Sequence, residues 1–271
     1  MDVEVSRGSG SPPIPLTVVR ARREYAPKQV LPTELKHPRR YRLRQARYVV
    51  LAQDIDRWAE DAAAAGRTLS VLDVGCGWGP LLCQLEAEPH FANLRVSGAD
   101  VVDKVVHRRD LYGEFFVGDL TGGYPEIASD RYDVVVCEQV LEHLGTLDVA
   151  IATLARIVRP GGVLAIGVPI FFPPLHLARR HLVPLLAHLL PQVQVGTHEQ
   201  AFSLWSFRRL LRAHPELSIA RTRGFRIISG GLLRRLENYA WWWRFNRRLG
   251  ELLPSLCIEV QILLVKSPVT G

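Results

Sequence analysis

Apolar side chains at Tyr48, Leu51, Ile55, Trp58 and Ala62 recur every third or fourth position, which predicts a helix over 41–65 closed by Gly66. A different rhythm follows. Short apolar runs at 69–74 (LSVLDV), 94–99 (LRVSGA), 114–118 (EFFVG), 132–137 (YDVVVC) and 162–168 (GVLAIGV) read as strands, with helical stretches of about ten or more residues between most of them. Continuous Val/Leu/Ile runs alternating with helices imply an α/β chain whose parallel sheet is covered on both faces. The last third continues with an apolar stretch at 170–195, a helix near 203–213, a strand near 217–227, a Trp-rich helix near 231–250 and a final strand near 256–265. Residues 1–40 are proline-rich and aperiodic, and read as an extended basic arm. The chain thus divides into an arm (1–45) and one domain (46–267), the latter carrying an apolar lid insertion (169–199) and a Trp/Arg-rich helix (229–252). Residues 160–178 hold no charged side chain, but Pro160, Pro169, Pro173 and Pro174 would break a spanning helix there.

Composition alters this picture little. Of 271 residues, 48% are hydrophobic and 23% charged, which excludes a wholly disordered chain and permits a core without disulfide or metal staples. Cys76, Cys83, Cys137 and Cys257 form no C-x-x-C pair and read as reduced thiols, and the first residues lack the apolar segment of a secretory leader. These features point to the cytoplasm. Charge alters the picture more. The chain carries a net +7, concentrated in two places: residues 20–47 hold ten Lys/Arg against Glu24 and Glu34, and 201–248 hold eleven Arg against Glu216 and Glu237. Such asymmetry fits an anionic partner (nucleic acid, lipid headgroups or a phosphorylated substrate), and it equally fits a solvated surface.

The strongest chemical signal is VLDVGCGWG at 71–79, an apolar strand with Asp73 near its end and then Gly75, Gly77 and Gly79 opening a helix. Glycines allow a sharp turn and close ligand approach, and the following helix N-terminus offers free N–H groups. Pro80 follows Gly79, so the third glycine comes one step early for a nicotinamide dinucleotide fingerprint. Asp100 ends the second strand, where a carboxylate can accept both ribose hydroxyls of a nucleoside; capping a following helix is the competing role. Asp119 ends the third strand, placed to accept an adenine amino group with Leu120 against the ring, or simply to start a turn. Tyr132–Glu138 ends the fourth strand at the cleft.

In combination these segments resemble the class I S-adenosylmethionine-dependent methyltransferases, in their small-molecule and quinone-type branch. VLDVGCGWG, SGAD, FVGDL, YDVVVCEQVLEH and LARIVRPGGVLAIGVP stand in that family's order, and GTHEQAFSLWSFRRLL (196–211) is similar to a segment common after its fifth strand. The resemblance covers residues 46–228. It implies a Rossmann-like, doubly wound, seven-stranded sheet of order 3-2-1-4-5-7-6, with strand 7 antiparallel and an apolar helical insertion after strand 5. It also implies S-adenosyl-L-methionine as cofactor, held by Asp73, Gly75, Cys76, Gly77, Gly79, Asp100, Val101, Asp119, Leu120 and Glu138. Asp73 either meets the cofactor's amino group or orients the loop.

Methyl transfer is an in-line displacement that chiefly requires alignment and exclusion of water, and a hydroxyl acceptor of high pKa also needs a base. Glu138, His143 and His198 are the catalytic candidates. Some relatives hold a divalent metal with E-x-x-E-H in this region. Here the first position is Gln139, a weaker neutral ligand, with Glu138 four residues before Glu142 as a substitute on the same helical face; no metal is assigned. The expected acceptor is a small hydrophobic or aromatic molecule, methylated on oxygen. RNA or protein methylation through the basic segments and a non-catalytic scaffold are the alternatives, although no N-P-P-Y-type sequence or appended RNA-binding module is present. Trp241, Trp242 and Trp243 with Arg234, Arg235, Arg244, Arg247 and Arg248 read either as a packed lid and dimer face or as an element lying on an anionic membrane. Monomer and homodimer both remain open.

Overall fold

The computed structural model describes residues 12–21, 24–28, 41–105, 108–171, 200–229 and 231–268. Seven strands form one sheet: β1 (Leu69–Val74), β2 (Leu94–Asp100), β3 (Glu114–Val117), β4 (Tyr132–Glu138), β5 (Val158–Pro169), β6 (Leu217–Phe225) and β7 (Glu259–Lys266). Their order is β3-β2-β1-β4-β5-β7-β6, parallel throughout except that β7 runs antiparallel to both neighbours. Alternation sorts the side chains. Leu72, Val74, Val135, Cys137, Leu164 and Ile166 point to one face, and Val71, Val134, Val136, Val163 and Ala165 to the other.

The helices are α1 (Leu16–Arg20), α2 (Ala46–Ala64), α3 (Pro80–Leu85), α4 (Leu147–Ile157), α5 (Leu204–Arg212) and α6 (Ala240–Leu252). α4 and α5 cover the first face through Ile151, Leu154, Phe207 and Leu211. α2 covers the second through Leu51, Ile55, Trp58 and Ala62, the residues whose spacing predicted it. A third cluster joins Val49 and Val50 of α2 to Trp242 and Trp243 of α6, with Phe225 between them.

Four expectations need correction. Helices of ten or more residues do not separate most strands: α3 has six residues, and single 3-10 turns (Arg109–Leu111, Leu120–Gly122) stand in the next two connections. Glycines at 113, 118, 122 and 123 break those connections. The Trp-rich segment is not one helix, because Tyr239 is extended (φ −115°, ψ 129°) between a 3-10 helix at Gly231–Asn238 and α6. The arm is not simply draped over the surface. Ile14 and Val19 are buried, Ile14 N–H donates to the Gly161 carbonyl (3.1 Å), and buried Tyr25 donates to Asp54 Oδ1 (3.0 Å), so the arm is stitched to the domain. Finally, β5 begins at Val158, four residues early, pairing Val158 with Tyr132 before the register shifts. The apolar insertion and His198 lie outside the described residues. Among those described, no helix is long and apolar enough to cross a membrane.

Candidate functional site

The loop after β1 needs left-handed backbone at Gly75 (φ 71°), Gly77 (φ 55°) and Gly79 (φ 89°), which a side chain would strain. Its path is anchored to β2: Gly75 N–H donates to the Ala99 carbonyl (2.7 Å), and Gly77 N–H to Asp100 Oδ2 (2.8 Å). No helix follows Asp100, so the carboxylate caps none; it holds the glycine loop from the strand end. At Gly77 no atom lies within 4 Å of where a Cβ would stand, so the loop opens there onto free space. Cys76 packs into the core on the α2 face, where burial raises its pKa, leaving its backbone as the part that shapes the loop. Since α3 spans only six residues, hydrogen bonds from the loop matter more here than a helix dipole.

Beside this loop stand the other residues expected at the strand ends. Val101 is 55% exposed and presents an apolar surface at the strand end. Asp119 Oδ1 accepts from both the N–H and Oγ1 of Thr121 (2.8 Å each), starting the 3-10 turn. Leu120 is buried at 3% exposure in a cluster with Tyr124 and Ile127. Asp73 lies buried on the α2 face with Tyr112 Oη 3.5 Å from its Oδ2.

The C-terminal end of β4 adds a group of buried charges. Glu138 opposes Gly167 of β5, where a Cβ would collide with its carboxylate. Gln261 of β7 donates to Glu138 Oε1, and Arg47 of α2 lies 3.3 Å from Oε2. Arg47 also donates to Glu259 Oε2 (2.7 Å), and Arg226 to Glu259 Oε1 (2.6 Å). Behind Gln261, whose Oε1 accepts from Arg223 Nε (2.6 Å), Arg223 reaches Asp54 of α2. Gln139 has φ 59° and turns the chain, and Glu142 and His143 follow on a 3-10 turn, Leu141–His143. Glu138 and Glu142 therefore do not share a helical face as their spacing suggested. His143 is 46% exposed at its side chain, with Nε2 4.0 Å from Glu142 Oε1.

Burial pushes Asp73 up to about 7, assisted by Glu138. Burial likewise holds Glu138 at about 7 against the opposing pull of Arg47 and Gln261, and Glu142 at about 7. Among the described residues Gln139 Nε2 and Glu142 Oε2 are buried without a hydrogen-bond partner, and Glu138 Oε2 has its Arg47 ion pair but no hydrogen bond, so this corner carries spare polar capacity. Folded carboxyls at about 7 keep protons that the unfolded chain releases near 4. Their stabilising effect is therefore complete below about pH 4 and lost as pH rises through about 7. Glu138→Gln removes one such group, and its melting temperature relative to the native protein is expected to climb by roughly 5 °C from pH 4 to pH 8. A pH-independent difference would mean that Glu138 titrates normally.

Along α5, a cavity of about 250 Å³ is lined by Phe171, Ser203, Leu204, Trp205 and Ser255 with Arg208 and Arg212. Arg208 donates to Thr222 Oγ1 (2.8 Å), and among the described residues neither arginine meets a carboxylate.

Sequence reasoning missed Arg47, Asp54, Arg223, Glu259 and Gln261. The signal was present for two of them: Glu259 and Gln261 are polar positions two apart in the otherwise apolar run EVQILLV, hence on one face of a central strand.

A family model described as a methyltransferase domain matches residues 40–214. A ubiquinone biosynthesis O-methyltransferase from Ralstonia nicotianae is 29% identical over 192 residues, 66% of this chain and 71% of that protein. One from Thiobacillus denitrificans is 33% identical over 155 residues, 54% of this chain and 62% of that protein. One from Rickettsia akari is 30% identical over 103 residues, and there the match spans 39% of the relative's length. In fold, the chain is similar to loganic acid methyltransferase solved with SAH (TM-score 0.53, 8% identity, 84% of this chain and 95% of that one).

Proposed function

Because the chain belongs to the class I S-adenosylmethionine-dependent methyltransferases, we propose that it methylates an oxygen of a small hydrophobic or aromatic acceptor. The observation that carries this reading is the glycine loop tied by Gly77 to Asp100 directly beside the buried carboxyls Asp73 and Glu138. That arrangement suits a ligand with a ribose at one end and positive charge at the other. The relatives are ubiquinone biosynthesis O-methyltransferases, which supports oxygen as the acceptor atom.

When bound, the cofactor supplies a sulfonium methyl group, and the electrons of the breaking S–CH₃ bond remain on sulfur. The backbone of Gly75–Gly79, Cys76 included, cradles its amino-acid portion. Asp100 accepts the ribose hydroxyls, Val101 lies against the base, and Asp119 with the Leu120 backbone meets the base edge. Asp73 and Glu138, whose pKa values burial raises to about 7, would hold the cofactor's cationic end, and a positive charge there would favour their ionised form. His143, exposed beside Glu142, takes the acceptor hydroxyl proton; His198 and Glu138 are the other candidates for that role. The apolar cavity with Arg208 and Arg212 suits the body of an acceptor carrying a polar or anionic substituent.

Calorimetry with S-adenosylmethionine and S-adenosylhomocysteine tests the cofactor, and absence of binding by the purified protein overturns the reading. Mass spectrometry of metabolite extracts incubated with labelled cofactor identifies the acceptor. His143→Ala is expected to lower kcat about 10²-fold with cofactor affinity unchanged. Equal turnover would remove His143 from the chemistry. Nucleic-acid methylation is less well supported, because Arg47, Arg221, Arg223, Arg226 and Arg247 of the basic segments are engaged with carboxylates.

A further inference from the structure

We propose that the outward face of α6 and the turns flanking it lie on an anionic lipid bilayer. The inner face of α6 is spent on the core, where Trp242, Trp243, Asn246, Arg247 and Gly250 are buried. On the opposite side Trp241 is 55% exposed, Phe245 42% and Leu252 65%. At about 100° per residue these three fall within one narrow strip. Arg244 and Arg248 are exposed on the same side of the helix. The apolar surface continues beyond both ends, through Leu253, Leu256 and Ile258 on one side and Leu232, 91% exposed, on the other. Most of the protein's exposed large hydrophobic side chains among the described residues therefore gather within residues 232–258.

Charge selects the partner. Arg234, Arg235, Arg244 and Arg248 interleave with the apolar side chains and are exposed. Among the described residues Glu251 is turned to Arg221 and Arg247, Glu24, itself exposed, lies 3.4 Å from Arg248, and Glu237 adds one partly exposed carboxylate in the flanking turn against the four arginines. Tryptophan, phenylalanine and leucine beside arginines match a headgroup boundary, where rings and aliphatic chains enter the acyl edge and guanidinium groups reach phosphate. A second copy of the chain fits less well. An isologous contact would set this arginine-bearing strip against itself, whereas interface cores are depleted of charge. The placement also suits the reading of an apolar acceptor: Ile258 adjoins Glu259, which Arg47 holds beside Glu138, so the face borders the site.

The test is flotation of the full-length protein with phosphatidylcholine vesicles, with and without an equal part of phosphatidylglycerol, at about 0.1 M and about 0.5 M salt. Binding is expected to the anionic vesicles, at least about tenfold weaker on phosphatidylcholine alone or at the higher salt. Trp241→Ser with Phe245→Ser, and separately Arg244→Glu with Arg248→Glu, should each reduce binding about tenfold in protein that remains folded, the first pair at a modest cost in melting temperature because both rings pack on Trp242. Failure to float with anionic vesicles overturns the proposal. So does native-level binding by either double variant, which would move the contact elsewhere, or conversion of a dimer to a monomer by the apolar variant, which would make the face a contact between copies. None of these readouts depends on methyl transfer, so the proposal and the assigned activity fail separately.

Discussion

Asp54→Ala is expected to destabilise the protein by about 3–5 kcal/mol, the cost of leaving a buried charge unpaired. Its partner Arg223 is 0% exposed, on β6 against β7, and among the described residues Asp54 is the carboxylate that pairs with it. Arg223 has one further neutral acceptor in Tyr25 Oη (3.1 Å) and another in Gln261 Oε1 (2.6 Å), and its Nη2 already lacks a partner. Arg247 stands close enough that burial first, and the Arg223 charge second, lower its pKa to about 10. Removing Asp54 thus leaves Arg223 buried without a carboxylate partner and near a second cation, Arg247, whose own partner is Glu251. Urea unfolding should show a lower midpoint with an unchanged slope. Asp54→Leu combined with Arg223→Met should recover most of the loss, because the desolvated charge goes with its partner. A loss below about 1 kcal/mol in Asp54→Ala would mean that Arg223 is solvated or otherwise compensated.

Cofactor binding offers the second large effect. Gly77→Arg should abolish measurable affinity for S-adenosylmethionine while the protein still folds. A Cβ at this position would meet no atom within 4 Å beyond its chain neighbours, and at φ 55° the strain is confined to one residue, so the side chain is directed into the open mouth of the loop. Asp100→Ala should weaken binding roughly 10- to 150-fold through the loss of charge-assisted hydrogen bonds. It should also cost about 1 kcal/mol of stability, here because Gly77 N–H loses its acceptor and not because a helix loses its cap. Asp103→Ala should be silent for affinity, since that exposed carboxylate is occupied with Arg109 (2.7 Å). Asp119→Asn should fall between them. Unchanged affinity in Asp100→Ala would remove the end of β2 from the cofactor site.

Much of this architecture is legible along the chain because the information is local. A run such as Leu69–Val74 carries its own strand propensity, and a parallel sheet buried on both faces leaves it mostly apolar, so that Asp73 stands out before the loop begins. Gly75, Gly77 and Gly79 mark left-handed turns by residue type alone, and Asp100 and Asp119 mark strand ends by interrupting apolar runs. The strand order with its antiparallel β7 was likewise available, through the resemblance that those segments carry. Helix lengths between β1 and β4 were not, since these connections hold a six-residue helix and single 3-10 turns where the residue count allows longer helices.

The charged interior depends on contacts that no local pattern encodes. Arg47 meets Glu138 and Glu259 from across the chain, and Asp54 meets Arg223, because α2 lies over the face on which β4, β6 and β7 present those residues. Period two assigns Glu138, Glu259 and Gln261 each to a face of its own strand, yet which of them touch follows from the register that sets Gly167 beside both Glu138 and Gln261. Spacing of four joined Glu138 to Glu142 only on the premise of a helix, and one left-handed residue, Gln139, undoes it. Periodicity and turn chemistry are properties of neighbours in sequence. The ionisation of a buried carboxyl is a property of neighbours in space, and those exist only once the sheet has closed in register.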